Sequence, residues 1–202
     1  IHVHIGNVLG KDRKLLRTRS GETPRLSGLL DEAIAAARGV LDEARPDLPE
    51  EVRAAIAPQI GYGAVKYADL SHDPATAIDF NWDKALALEG NSGPYLQYAY
   101  ARVCSLLEKA GVDESSLASF GFRVETPSEK KLALQLLEFP GAVVRAAEAY
   151  KPSVLADYLF QTAQLYSSFY QNSPILKSEE SVRKARLKLC ALFGNVLRTG
   201  LG

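Results

Sequence analysis

The chain has 202 residues, 47% of them hydrophobic, and its 24 Lys and Arg balance its 24 Asp and Glu. That is the composition of a globular protein with room for one large domain, or a domain plus part of another. No run of about 18 apolar residues exists, which excludes a transmembrane helix. Zero net charge excludes a surface that is basic all over, but not a local basic patch. The first segment, Ile1-His-Val-His-Ile5, alternates like a strand, and an isolated strand is unstable. With Ile at position one and no Met anywhere, sequence upstream is expected to be missing. Residues 1–9 read as a strand, and 10–25 as a basic loop with Lys11, Arg13, Lys14, Arg17, Arg19 and Arg25.

A helix is expected next, capped by Ser27 and carrying Leu29, Leu30, Ile34, Ala37 and Leu41 at helical spacing. Pro49 opens a second helix, with Glu50 and Glu51 in its first turn. Pro58 is expected to kink or interrupt it, and it continues over 61–70 with Gly61 and Gly63 permitting close packing. Residues 71–82 read as a loop ending in the extended stretch Ile78–Trp82, and a domain boundary is placed near residue 75. Helices follow at 83–89, 94–110, 128–150 (broken near Pro140), 153–172 and 179–198. Leu132, Leu136, Phe139, Val143 and Ala147 form one apolar stripe; Leu155, Leu159, Ala163, Tyr166 and Tyr170 form another. Such stripes indicate a helix bundle. The last helix region carries Lys177, Arg183, Lys184, Arg186, Lys188 and Arg198, so basic clusters at both ends suit a polyanion touched in two places. The charges at 183–188 also follow helical spacing and can form a solvated face. Cys104 and Cys190 are far apart and have no metal-ligand spacing, so both are expected to be reduced thiols of a cytoplasmic protein.

Four stretches go further. Lys14-Leu-Leu-Arg17-Thr18-Arg19-Ser20-Gly21 resembles the arginyl-tRNA synthetase form of the class I KMSKS loop. Gly63-Ala-Val-Lys66-Tyr67-Ala-Asp69-Leu-Ser71 resembles the segment that follows it. Leu88-Glu89-Gly90-Asn91-Ser92-Gly93-Pro94-Tyr95-Leu96-Gln97-Tyr98 through Arg102 resembles the opening of that family's anticodon-binding domain, and Val196-Leu-Arg198-Thr199-Gly200-Leu201 its C-terminal run. The four lie in the family's order and span nearly the whole chain. The resemblance implies a mainly α chain: residues 1–75 as the tail of a Rossmann-like catalytic domain (one strand, the signature loop, helices), and 76–202 as a helical anticodon-binding bundle.

It also implies functions for named residues. Amino-acid activation expels pyrophosphate from ATP, and cations with hydrogen-bond donors stabilise the charge of its transition state. Lys14, Arg17 and Arg19 would face the triphosphate, with Thr18, Ser20 and Gly21 completing the ATP contact. The family's loop commonly reads Lys-Phe-Lys-Thr-Arg-Ser-Gly; here Leu15 stands where a first lysine often is, and Arg17 replaces a lysine. Tyr95, Gln97, Tyr98 and Arg102, with Tyr166 or Tyr170 from a later helix, would contact tRNA: aromatic faces stack on splayed bases and Arg binds phosphate or base edges. Each tyrosine can equally be a core residue with its hydroxyl bonded. The implied substrates are ATP with Mg2+, arginine (its pocket mostly outside this chain) and the tRNA for arginine. No prosthetic group, metal site or membrane contact is expected, and the protein is expected to be monomeric. The chain alone is expected to be inactive. A detached, non-catalytic RNA-binding module is the alternative. His4-Ile5-Gly6-Asn7 resembles the HIGH motif but lies too close to the loop. His2 and His4 share a strand face with no third ligand nearby.

Overall fold

The computed structural model describes residues 2–9 and 25–202, so the expected ATP loop, with Lys14, Arg17, Thr18, Arg19, Ser20 and Gly21, lies outside the described residues. The elements in chain order are β1 (Val8–Leu9), α1 (Leu26–Ala44), α2 (Glu50–Leu70), β2 (Ile78–Asp79), α3 (Trp82–Ala85), α4 (Gly93–Ala110), α5 (Glu114–Leu117), α6 (Pro127–Leu137), α7 (Phe139–Ala149), α8 (Pro152–Asn172) and α9 (Glu180–Leu201). Contacts divide them into two compact units: residues through Gln97 with Lys151–Ser153, and Tyr98–Tyr150 with Val154–Gly202. The boundary expected near residue 75 falls inside the first unit.

In the first unit α1 lies against α2. Small residues make this contact close: Ala33 and Ala37 from α1 and Ala57, Gly61 and Ala64 from α2 are all buried. Ala37 and Ala64 join Leu86 in a core cluster flanked by Val40, Ile60 and Trp82. α1 begins with Arg25 rather than Ser27 at its N-cap, and no side chain caps it. Pro58 does not interrupt α2. A proline removes one backbone bond and strains the preceding turn. Here the turn is held from outside, because Ala57 and Gly61 on either side of it are both buried. Arg38 and Arg53 bridge Asp42 and Glu50 at the rim of the helix pair, an exposed network that adds little. The strand expected over 1–9 reduces to Val8–Leu9, which pairs in parallel with Ile78–Asp79. The extended 78–82 stretch thus supplies its partner, while Val3 and Ile5 stay exposed.

The start of α4 is seated in this same unit, which is why the contact boundary lies beyond residue 75. Tyr67 donates its hydroxyl hydrogen bond to Asn91 at 2.6 Å. A Cβ on Gly93 would lie 2.8 Å from the Gly63 carbonyl oxygen and 3.0 Å from the Tyr67 Cβ. Ser92 accepts from the Tyr95 amide at 3.1 Å and donates to the Ala87 carbonyl, capping the helix.

The second unit is a helical bundle centred on α9, which buries Leu187, Cys190, Phe193 and Leu197. The same unit also buries Leu132, Leu159, Ala163 and Phe169. The stripe expected from Leu132 to Ala147 is not one face. The chain turns at Glu138, which ends α6 and starts α7, so helical phase is reset. Leu132 is fully buried but Val143 is 41% exposed, and Ala142 is the residue α7 buries. α5 was not expected; Asp113 makes it by accepting from the Ser116 amide at 2.8 Å. The chain leaves α7 through Tyr150 in the left-handed conformation, φ 54°.

The charges of α9 are also resolved. Arg186 is buried and forms an ion pair with buried Glu129 at 2.7 Å. Its guanidinium also donates to the Pro174 carbonyl at 2.9 Å and to Ser178 at 2.8 Å. Lys188 donates to the Phe120 carbonyl at 2.7 Å, and Lys184 pairs with Glu180 at 2.5 Å. The C-terminal basic cluster is therefore weaker than its sequence suggests, because Arg186 serves the interior.

Candidate functional site

The candidate site of the second unit forms where α4 and α8 meet. Tyr98 and Arg102 stand four residues apart on α4, so they share a face. The Arg102 guanidinium carbon lies 4.7 Å from the Tyr98 ring centre and 5.4 Å from that of Tyr170 on α8. One cation thus lies over two aromatic faces, at distances where the ring quadrupoles attract it. Tyr98 is 49% exposed, while Arg102 and Tyr170 are half-buried. Among the described residues no carboxylate pairs with Arg102, so its donors are not spent on an internal anion.

Tyr166 lies beneath this group. It is 1% exposed and stacks on Phe193 of α9, with ring centres 4.1 Å apart and planes at 13°. Its ring centre is 5.9 Å from that of Tyr170. The Tyr166 hydroxyl has no oxygen or nitrogen partner and lies beside the Cys190 thiol. Burial holds this phenol far above the ordinary tyrosine value, so it stays neutral. Burial likewise pushes the Cys190 thiol up to about 12, which leaves it protonated and inert.

The remaining candidates belong to the first unit. Gln97 donates its side-chain amide to the Gln59 carbonyl of α2 at 3.2 Å, and its side-chain oxygen is buried without a partner. Gly63 makes room for that amide, since a Cβ there would stand 2.5 Å from the Gln97 nitrogen. Tyr95 is half-buried near the helix start. The structure therefore brings together Tyr98, Arg102 and Tyr170, places Tyr166 in the core under them, and turns Gln97 onto α2. Phe193 is absent from the sequence reading. Its signal was the 186, 190, 193, 197 spacing on α9, which reads as a buried face once the charge of Arg186 is discounted. Among the described residues no group of three His, Cys, Asp or Glu could hold a metal ion, and no helix is long and apolar enough to cross a membrane. Both cysteines are free thiols, Cys104 exposed and Cys190 buried.

The chain is similar to known proteins along its whole length. Residues 96–202 match the family model described as DALR anticodon binding domain, and residues 1–82 match that of the catalytic domain of class I (R) tRNA synthetases. The chain is 50% identical over all its 202 residues to an arginine–tRNA ligase of Thermobifida fusca, of which it covers 35%. It is 45% identical over 201 residues to one from an Enterobacter species, with the same 35% covered. The arginyl-tRNA synthetase structure of Thermus thermophilus superposes with a TM-score of 0.86 and 35% identity, over 99% of this chain and 33% of that one. A Plasmodium falciparum arginyl-tRNA synthetase, 23% identical with a TM-score of 0.81, shares the fold. The chain thus spans about a third of the length of the curated relatives it matches.

Proposed function

Because this chain belongs to the family of the DALR anticodon binding domain, we propose that it is the tRNA-reading and ATP-closing part of an arginine–tRNA ligase. The whole enzyme would activate arginine with ATP and Mg2+, releasing pyrophosphate, and pass the arginyl group to the terminal adenosine of its tRNA. It would do so in the cytoplasm, as a monomer and without a prosthetic group. The observation that carries the tRNA reading is the Arg102 guanidinium over the rings of Tyr98 and Tyr170. Unpaired bases of an RNA loop stack on such rings, and a guanidinium without an internal anion meets phosphate or a base edge. Arg102→Ala is expected to weaken binding of the arginine tRNA about tenfold or more, in line with a lost stacking or charged contact. Fluorescence anisotropy at fixed salt would read it, and an unchanged affinity would remove Arg102 from the interface.

The loop residues Lys14, Arg17, Thr18, Arg19, Ser20 and Gly21 are proposed to close on ATP, supported by the class I match over residues 1–82. In the whole enzyme, Lys14→Ala with Arg19→Ala should slow arginine-dependent pyrophosphate exchange by about 100-fold or more, because each cation stabilises charge that grows in the transition state. Affinity for tRNA should stay within about twofold. Equal losses in both assays would show that the loop serves RNA rather than ATP.

A further inference from the structure

We propose that Phe193 and Tyr166 are positioning residues for the RNA site: a buried aromatic stack that fixes Tyr170 and, through it, the Arg102 guanidinium. The inference rests on the reading of Tyr98, Arg102 and Tyr170 as the RNA-contacting group. The geometry forms a continuous series. Phe193 on α9 is fully buried and stacks on Tyr166 at 4.1 Å. Tyr166 stands one turn before Tyr170 on α8, with ring centres 5.9 Å apart. Tyr170 lies under the Arg102 guanidinium, which also covers Tyr98.

Arginine has one of the largest rotamer freedoms of any side chain, and ordering it on binding weakens affinity. A guanidinium already held over two rings loses less on contact. The hold is only as fixed as the rings, and Tyr170, being half-buried, needs a rigid neighbour. Tyr166 supplies one, since near-parallel stacking on Phe193 limits its tilt. The Tyr166 hydroxyl has no oxygen or nitrogen partner and faces the Cys190 thiol, away from the contact that reaches Arg102 through Tyr170. The stack on Phe193 is made by the ring, so the ring is assigned the positioning, and removal of the hydroxyl alone tests that assignment.

The test uses tRNA affinity and thermal unfolding of the intact protein. Tyr166→Leu and Phe193→Leu should each weaken arginine-tRNA binding about fivefold, while Tyr166→Phe, which keeps the ring, binds as the parent does. In an Arg102→Ala background both leucine variants should lose their further effect, because what they position is gone. Leu132→Val is the control: it loosens the same core on α6 and should lower Tm without changing affinity. If Arg102→Ala itself leaves affinity unchanged, the underlying reading fails. If Arg102→Ala weakens binding but Tyr166→Leu does not, the positioning inference alone fails. It also fails if Tyr166→Phe binds as poorly as Tyr166→Leu, since the hydroxyl would then be the contact. Persistence of the leucine effects in the Arg102→Ala background, or an equal affinity loss in Leu132→Val, would mark the stack as general support and overturn the inference.

Discussion

Replacing Arg186 with leucine is expected to lower stability by about 3–5 kcal/mol, the usual cost of removing one member of a buried ion pair. Glu129 is 2% exposed and Arg186 8% exposed. Leucine would leave the Glu129 carboxylate without its cation, and the Pro174 carbonyl and Ser178 hydroxyl without their donor. Glu129 also accepts from the backbone amides of Glu125 at 2.6 Å and Thr126 at 3.0 Å, closing the capping box of α6. A single pair therefore holds the start of α6, the start of α9 and the 174–178 turn. Glu129→Gln with Arg186→Met should cost less than the sum of the single changes, because glutamine keeps an acceptor for the α6 amides and no bare charge remains. Urea unfolding at neutral pH would measure both. An Arg186→Leu loss below about 1 kcal/mol, the scale of exposed pairs, would mean that the pair is effectively solvated.

The same pair sets a pH dependence. Burial alone would raise the Glu129 carboxyl, but two backbone amides and Arg186 outweigh it and hold the group below its ordinary value of 4.5. A depressed folded value means that the unfolded chain binds the proton more readily. The stability from this carboxylate is then fully present above about pH 4.5 and is lost as pH falls through the lower folded value. Glu129→Gln should remove that part of the acid sensitivity while lowering stability at neutral pH.

The long helices were legible because their periodicity is local. α4, α8 and α9 lie within a few residues of where apolar spacing and the glycine and proline breaks put them. What failed depended on packing. Pro58 argued for a kink or a break in α2; the break is absent, with Ala57 and Gly61 buried on either side of the proline and Gly61 against the α1 backbone. The break expected near Pro140 is present, two residues earlier at Glu138, but the apolar spacing from Leu132 to Ala147 was read across it, so half of that stripe describes no surface. The site was legible to a similar extent. Tyr98 and Arg102 read as a pair from their four-residue spacing, but nothing in one sequence tells Tyr166 from Tyr170. Both fit the α8 stripe, and only Phe193, distant in sequence, decides which ring is interior. Arg186 was misread for the related reason that its partner Glu129 lies on another helix.

Gly61→Val tests the packing that the first unit depends on, and it should cost about 3 kcal/mol or more, at the upper end of overpacking penalties. A Cβ at Gly61 would stand 2.7 Å from the Ala33 carbonyl oxygen, 2.8 Å from its carbon and 2.9 Å from the Ile34 nitrogen. All three are backbone atoms of α1, so no side chain can rotate away; α1 and α2 must separate. Separation would open the cluster of Ala37, Ala64 and Leu86. It would also shift the α2 surface around Gly63 and Tyr67 that seats the start of α4. Helix propensity alone argues the other way, because glycine inside a helix is less favourable than alanine by about 1 kcal/mol. Gly39 in α1 isolates that term: a Cβ there meets nothing within 4 Å. Gly39→Ala should therefore stabilise the chain by about 0.5–1 kcal/mol. Thermal melts of Gly61→Val and Gly39→Ala should shift in opposite directions. A rise in Tm for Gly61→Val would mean that α1 and α2 do not approach as closely as the structure shows, and that propensity governs both positions.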